Sequence, residues 1–148
     1  MFLSAQMSSS PLPYIGYEDG ASHHMQHIPS TTWVIYTPKS ELPCSRGVFL
    51  RISTNNIAEY MSVISLLAKA SSQDISNMVV RLDSQLVSMQ LTNHYHIRNP
   101  ILLHHYLRVR LLEHKFEFIT YEHIPREFNT AVDSLENYVL DWHLSHLL

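Results

Sequence analysis

Apolar residues recur along residues 54–70 at the spacing of a helix with one buried face. The residues at this spacing are Ile57, Tyr60, Met61, Ile64, Leu67 and Ala68. The predicted polar arc contains Ser62, Ser65 and Lys69. Glu59 lies outside that arc and begins a flanking row with Val63 and Leu66. One interpretation is a capping box with Asn56, because an acidic first turn suits the helix dipole. The other is a functional carboxylate.

β-rich and alternating segments predict strands on both sides of this helix. The five predicted strands cover residues 14–20, 30–37, 46–53, 77–82 and 115–122. The first is expected to end at the turn pair Asp19–Gly20, and the fourth stops at Asp83. Three strands therefore precede the helix and two follow it.

The remaining helices are predicted over residues 84–91, from Asn99 to about His114, and from about Glu127. Asn99 and Pro100 fit the N-cap and the first turn of the second of these. The last helix is amphipathic through Phe128, Ala131, Val132, Leu135, Tyr138, Val139 and Trp142. The order βββαβααβα predicts a mixed α/β fold in which three meandering strands are extended by two more through helical crossovers.

Length and composition limit the possible classes of protein. With 148 residues and 45% hydrophobic composition, the chain is expected to form one domain over residues 13–148 after a Ser-rich, flexible tail over residues 1–12. A formal charge of −3 gives no general attraction to nucleic acid, although two bound divalent cations would make the balance mildly positive. The single cysteine, Cys44, excludes an intramolecular disulfide framework and a cysteine-rich zinc site.

Targeting and membrane signals are also missing from the pattern. Residues 1–38 contain no Lys or Arg, so neither a signal peptide nor a transit peptide is indicated. No apolar run has the length of a membrane span. The sequence therefore predicts an intracellular protein, cytoplasmic or nuclear, with no membrane partner.

Four acidic residues occupy strand ends and helix starts in this plan: Asp19, Glu59, Asp83 and Asp133. Functional groups of open α/β sheets gather at such positions, so the four carboxylates are expected to converge. Each also has a structural interpretation. Asp19 fits a turn with Gly20, Asp83 fits a cap for the next helix, and Asp133 lies on the polar side of the last helix.

The segments around these acids resemble ribonuclease H of the bacterial and eukaryotic type. "DGAS", "TNNIAEY", "LDSQLV" and "HIPREFNTAVDSL" occur in this order, most like the compact plant and retroelement branch with reverse-transcriptase-like domains. The resemblance runs from about Tyr14 to Leu140. It implies a ribonuclease H-like fold, with a five-stranded mixed sheet flanked by helices.

The same resemblance implies a metal-dependent endonuclease that cuts the RNA strand of RNA/DNA hybrids by a two-metal-ion mechanism. Asp19, Glu59, Asp83 and Asp133 fall on the four metal-binding acids of the family, and His123 falls on its mobile catalytic histidine. The expected ions are two Mg²⁺, which Mn²⁺ can replace. Carboxylates suit Mg²⁺ because it prefers oxygen ligands, and a pair of ions can stabilise both the attacking and the leaving oxygen.

The sequence signal for residues that contact the hybrid is less specific than the signal for the acids. By the resemblance, Thr54, Asn55, Asn56 and Gln85 would approach the groove, although helix capping and turn formation explain them equally well. Composition adds His104 and Arg108, which share an arc of their helix with His105 and Lys115. That arc is either a solvated face or a phosphate-binding surface.

Two features leave other functions open. Relatives usually carry a glycine-rich turn after the first acid, whereas this chain has "GASHHMQHIPSTTW". A catalytically weak or inactive retroelement-derived domain that binds nucleic acid or a protein partner is therefore the alternative. The histidines of residues 23–27 are a weak zinc signal without supporting carboxylates. Whether the chain acts alone, in a larger assembly or in a polyprotein is not determined by the sequence.

Overall fold

A five-stranded mixed sheet with helices in its crossovers forms the fold of the computed structural model, which describes residues 12–25, 28–39, 43–50 and 55–124. The strands are β1 (Tyr14–Met25), β2 (Ile28–Tyr36), β3 (Pro43–Leu50), β4 (Asn77–Leu82) and β5 (Phe118–His123). The helices are α1 (Asn55–Ser72), α2 (Gln85–Leu91) and α3 (Pro100–Glu113). The flexible tail predicted for residues 1–12 and the last predicted helix lie outside these ranges, except for Leu12.

The sheet has the strand order β3-β2-β1-β4-β5. β1, β2 and β3 pair antiparallel, whereas β4 is parallel to both β1 and β5. The predicted mixed sheet is therefore confirmed, with the three meandering strands on one side and the two crossover strands on the other. Among the helices in the described ranges, none is long and apolar enough to cross a membrane.

β1 does not end at Asp19–Gly20, as the turn pair suggested, but continues to Met25. The antiparallel ladder with β2 continues past the turn signal, since Asp19 pairs with Thr32 and Met25 pairs with Ile28. Irregularities of register on either side of Ser22 accommodate the extension. The parallel ladder with β4, in contrast, ends at Glu18. Asp19 thus lies where β1 and β4 separate, within a longer strand.

The starts of β3 and β5 also differ from the prediction. β3 begins at Pro43, because the pairing with β2 already starts there, opposite Tyr36. β5 begins at Phe118, after the predicted start at residue 115. The reason is that the backbone N–H groups of Lys115 and Phe116 still donate to Leu112 and Glu113 at the end of α3.

α1 begins at Asn55, which corrects two predictions. It has no acidic residue in its first turn, so Glu59 lies in the second turn and Asn56 is inside the helix rather than at its cap. The buried face is also broader than one amphipathic stripe. Ser62 is fully buried and Ala68 is exposed, because α1 packs against the three antiparallel strands and also against α3.

The two later helices begin with side-chain caps. Asn99 Oδ1 accepts hydrogen bonds from the backbone N–H groups of Ile101 and Leu102 at 2.8 and 3.2 Å, which confirms the predicted start of α3. Ser84 caps α2 by accepting from the Val87 N–H at 3.1 Å. These bonds satisfy N–H groups that a helix start would otherwise leave without partners.

A polar network crosses the helical layer and joins it to β5. The Tyr60 hydroxyl donates to Gln90 Oε1 at 2.7 Å, connecting α1 to α2. Glu113 Oε2 accepts from Arg110 at 2.6 Å and from the Tyr121 hydroxyl at 2.5 Å. Burial raises the pKa of both Tyr60 and Tyr121, and Glu113 raises that of Tyr121 further. Both phenols therefore remain neutral donors.

Gly47 is required by the indole ring of Trp33 on the neighbouring strand. A Cβ atom at Gly47 would lie 2.4 Å from Cε2 of this buried ring. Gly47→Ala is therefore expected to lower the free energy of unfolding by about 1–3 kcal/mol, since the ring must shift within a packed core. Urea denaturation measures the change. Gly16→Ala is the matched control with a smaller expected cost, because its Cβ would meet flexible Leu66 and Met78 side chains at 3.0–3.4 Å. Equal costs would contradict the role of the ring.

His105 on α3 makes stability depend on pH. Its Nδ1 atom is buried with no hydrogen-bond partner among the described residues, and its ring stacks on Tyr60 with centroids 6.5 Å apart. Burial lowers the pKa of this imidazole below its ordinary 6.5, and Arg108 and His104 lower it further. The unfolded chain therefore binds the proton more tightly than the fold does. The contribution of His105 to stability is fully present above the unfolded pKa. It is lost as the pH falls from there through the lower pKa of the folded state.

The corresponding prediction compares unfolding at pH 8 and pH 5. The parent protein is expected to lose more free energy of unfolding between these values than His105→Gln does, because the variant has no imidazole to charge at this position. His96→Gln removes an exposed histidine from the loop before α3 and should behave like the parent. Identical losses in the parent and His105→Gln would contradict the assignment to His105.

Candidate active site

Asp83 lies where β1 and β4 stop pairing. The backbone N–H of Asp83 donates to the carbonyl of Glu18 at 3.2 Å, one residue beyond the regular ladder. Asp83 therefore lies next to the backbone that leads into Asp19. The side chain of Asp19 lies outside the described residues, so its position rests on the strand alone.

Glu59 reaches the same end of the sheet through the direction of α1. This helix ends at Ser72, and β4 begins only a few residues later at Asn77. With 18 residues α1 is about 27 Å long, whereas the six residues of β4 extend about 20 Å. The first turns of α1 therefore return to the end where β4 stops. Glu59, in the second turn of α1, is expected toward that end, and it is buried with only 7% of its surface exposed.

His123 also belongs to this end of the sheet, as the last residue of β5 rather than a member of the following loop. It pairs with Leu82, and the next N–H, that of Ile124, donates to the Leu82 carbonyl at 3.0 Å. The His123 side chain is exposed. The strand ladder therefore places the backbone of His123 one residue from the register position of Asp83.

Of the four predicted acids, the structure describes the side chains of Glu59 and Asp83. Asp133 lies outside the described residues, and so does the side chain of Asp19. Within the described part of the chain, no group of three His, Cys, Asp or Glu side chains forms a metal site. Among the described residues, Asp83 lies beside the backbone that leads into Asp19, and His123 ends the neighbouring strand β5.

The structure bears on the capping interpretation of Asp83. The residue was a candidate cap for the following helix, but the cap of α2 is the Ser84 hydroxyl. Asp83 is half-buried between β4 and α2. Its carboxylate is not needed to begin the helix, which favours the functional interpretation.

Two features beside the acids were not singled out in the sequence. Glu18, directly before Asp19, is fully buried. The residue before Glu18, Tyr17, pairs with Arg81 of β4, which pairs with Glu122 of β5, so the three form a row across three strands. Arg81 donates to the Tyr17 hydroxyl at 2.8 Å and to Glu122 at 3.2 Å. The alternation of β4 predicts that Arg81 shares a face with Asp83, but its partners come from pairing between distant segments.

The predicted nucleic-acid contacts divide into two groups. Asn55 and Asn56 open α1, and the exposed Gln85 opens α2, so all three lie at the end of the sheet where Asp83 is found. Thr54 and the side chain of Asn55 lie outside the described residues. His104 and Arg108 form the second group, exposed on the outer side of α3.

Comparisons with known proteins agree with this architecture. A family model described as reverse transcriptase-like matches residues 17–139. The chain is 33% identical over 125 residues to a protein named ribonuclease HI from Halobacterium salinarum, covering 84% of this chain and 63% of that one. It is 36% identical over 89 residues to the bifunctional protein Rv2228c of Mycobacterium tuberculosis, covering 60% and 24%. The chain thus spans less than two thirds of either relative.

Solved structures of both relatives have a similar fold. The crystal structure of Halobacterium salinarum RNase H1 superposes with a TM-score of 0.70 at 30% identity, covering 80% of this chain and 89% of that one. The N-terminal RNase H domain of Rv2228c gives a TM-score of 0.69 at 28% identity, covering 80% and 91%. The similarity therefore extends over most of each solved domain.

Proposed function

The chain belongs to the reverse-transcriptase-like family of ribonuclease H-type proteins, and on this premise we propose that it hydrolyses the RNA strand of RNA/DNA hybrids. The observation that carries the proposal is the hydrogen bond from Asp83 N–H to the Glu18 carbonyl. This bond brings the segment containing Asp19 beside Asp83. A pair of carboxylates at the end of a parallel strand pair suits phosphodiester hydrolysis.

The ligand set that we propose consists of Asp19, Glu59, Asp83 and Asp133, holding two divalent cations. The donors fit Mg²⁺ or Mn²⁺, since all are carboxylate oxygens and Glu59 and Asp83 come from different elements at the same end of the sheet. Bound ions would supply a Lewis acid that activates water and stabilises the leaving oxygen.

The protein side chains have separate tasks in this proposal. Glu59 is buried on a packed helix, so its position is fixed before substrate arrives. Asp83 directly follows β4, and its N–H makes the last backbone bond to β1, so the residue lies at the end of the parallel strand pair. His123 is exposed at the end of β5, so its imidazole is accessible to serve as the catalytic histidine.

Recognition of the hybrid is proposed at the starts of α1 and α2. Thr54, Asn55 and Asn56 precede or open α1, and Gln85 opens α2 two residues after Asp83. Polar side chains at these positions can bond to base edges, sugars and a phosphate. A hybrid is distinguished by its groove shape and by 2′-hydroxyl groups on one strand, so contacts of this kind select it without reading sequence. The phosphate contact predicted for His104 and Arg108 stays a prediction.

A second candidate function is binding of the hybrid without turnover. The observation that favours it is the long β1–β2 hairpin, in which β1 continues to Met25 with irregular register after Asp19. A glycine-rich turn is expected there in relatives. The extended hairpin would change the support of Asp19, since this residue lies within it.

The test is cleavage of an RNA/DNA hybrid with a label on each strand. We expect cuts only in the RNA strand, only with Mg²⁺ or Mn²⁺, and none after EDTA. Duplex DNA and duplex RNA serve as controls that should remain intact. Binding of the hybrid by folded protein without any cleavage would support the second candidate, and cleavage of duplex DNA would contradict the proposed specificity.

A further inference from the structure

An exposed row of leucines runs along the outer side of α3. Leu103, Leu107 and Leu111 follow each other at i, i+4 and i+8, with 40%, 51% and 69% of their surfaces exposed. The row is about 12 Å long. α3 already buries Leu102 and Val109 on its opposite side, so the helix is apolar on two sides. A surface helix that only covers a core is expected to be polar on the outside.

A basic row lies beside the leucines. His104 and Arg108 are exposed on α3, and Lys115 is exposed directly after it. The single acid of the helix, Glu113, faces the interior, where it accepts from Arg110 and from Tyr121. The outer face of α3 therefore combines an apolar row with a positive row and presents no carboxylate from the helix.

This outer face extends away from the acidic site. α3 ends at Glu113, and β5 begins at Phe118, at the end of the sheet opposite His123. The Glu117 N–H donates to Ser76, directly before β4, at 2.8 Å, which fixes the end of α3 near the start of both strands. Leu111 and Lys115 are thus among the residues farthest from Asp83 along the helix.

We propose that the outer face of α3, formed by Leu103, Leu107 and Leu111 with His104, Arg108 and Lys115, binds an acidic amphipathic helix of a protein partner. The leucine row matches the i, i+4 stripe of such a helix, because two helices pack by fitting the i, i+4 ridge of one into a groove of the other. Acidic residues flanking the stripe would meet the basic row and set the orientation.

Two other occupants fit the surface less well. A phosphate backbone would pair with His104 and Arg108 but would leave the three leucines exposed to water. A second copy of the chain would cover the leucines but would bring two positive rows together, and like charges oppose association. An acidic amphipathic helix would bury the leucine row and pair its carboxylates with the basic row.

The test uses a fluorescent synthetic helix with leucines at i and i+4 flanked by glutamates. The controls are a scrambled peptide of the same composition and a peptide with lysines in place of the glutamates. Fluorescence anisotropy with the full chain is expected to show saturable binding of the acidic helix alone. Leu107→Glu should weaken it by about tenfold or more, and Leu111→Glu is an independent second variant. Both change exposed side chains, so cleavage and thermal melting should stay like those of the parent.

Charge reversal separates electrostatics from hydrophobic contact. Arg108→Glu should weaken binding of the acidic peptide and strengthen binding of the lysine peptide. Lys39→Glu reverses an exposed charge outside this face and should change neither affinity. Equal binding of the scrambled peptide would overturn the proposal. So would loss of peptide binding when saturating RNA/DNA hybrid is added, which would assign the face to nucleic acid. A concentration-dependent dimer that Leu107→Glu abolishes would assign it to a second copy.

Discussion

Asp83→Asn is expected to lower the rate of RNA-strand cleavage by about a thousandfold or more. The substitution keeps the size of the side chain but removes the negative charge at the end of β4, where the strand leaves its ladder with Glu18. Charge stabilisation by a correctly bound metal contributes several kcal/mol to catalysis, and about 4 kcal/mol corresponds to this loss of rate. Single-turnover cleavage of a labelled hybrid at saturating Mg²⁺ measures the change.

Asp74→Asn is the matched control for this variant. Asp74 is exposed in the turn after α1, at the opposite end of β4, and has a positive φ of 61° that Asn also adopts readily. The control should cleave the hybrid within about twofold of the parent rate, because surface substitutions away from a site have small effects. Retention of more than about a tenth of the activity by Asp83→Asn would contradict a ligand role for Asp83.

Melting temperatures test the same site without any substrate. Carboxylates that converge without cations repel each other, so Asp83→Asn in EDTA should melt no lower than the parent. Added Mg²⁺ should raise the melting temperature of the parent more than that of the variant, since binding to the folded state alone stabilises it. A variant that melts well below the parent in EDTA would assign Asp83 a structural role, and its lost activity would then say little about metal.

Local signals in the sequence determine only part of this fold. The start of α3 follows from Asn99 and Pro100, which act within one turn of the helix. β1, in contrast, runs through Asp19–Gly20 because the pairing with β2 outweighs a local turn signal. The buried face of α1 is broader than its helical wheel suggests for the same kind of reason, since Ser62 is covered by packing against several elements at once.

In the candidate site, too, some positions follow from local sequence signals and others from non-local pairing. Asp83 could be located from the end of the apolar run over residues 77–82, and the structure confirms that β4 stops there. The row of Tyr17, Arg81 and Glu122 could not be predicted from the sequence, since each of the three residues comes from a different strand. The burial of Glu18 could not be predicted either, because it depends on pairing with Trp33 of β2 and Leu82 of β4. Non-local pairing, rather than residue type, decides these positions.

Leu66→Ala is expected to lower the free energy of unfolding by about 2–5 kcal/mol, the range for a leucine truncated in a packed core. Leu66 is fully buried in α1 and fills the space over Gly16, where a Cβ atom would lie 3.0 Å from its Cδ2. Urea denaturation in EDTA measures the change. Leu107→Ala is the matched control, because the same atoms are removed from a half-exposed site on α3 and the cost should be about 0.5 kcal/mol or less.

The double variant Gly16→Ala with Leu66→Ala tests the contact between β1 and α1 directly. Gly16→Ala alone should be destabilising because Leu66 and Met78 leave little room for a methyl group. When Leu66 is already shortened, the new methyl group enters the space that the leucine has left. The double variant should therefore lose at least about 0.5 kcal/mol less free energy of unfolding than the two single losses combined. Strict additivity would mean that the two side chains do not share this space, and that α1 is held against β1 by other contacts.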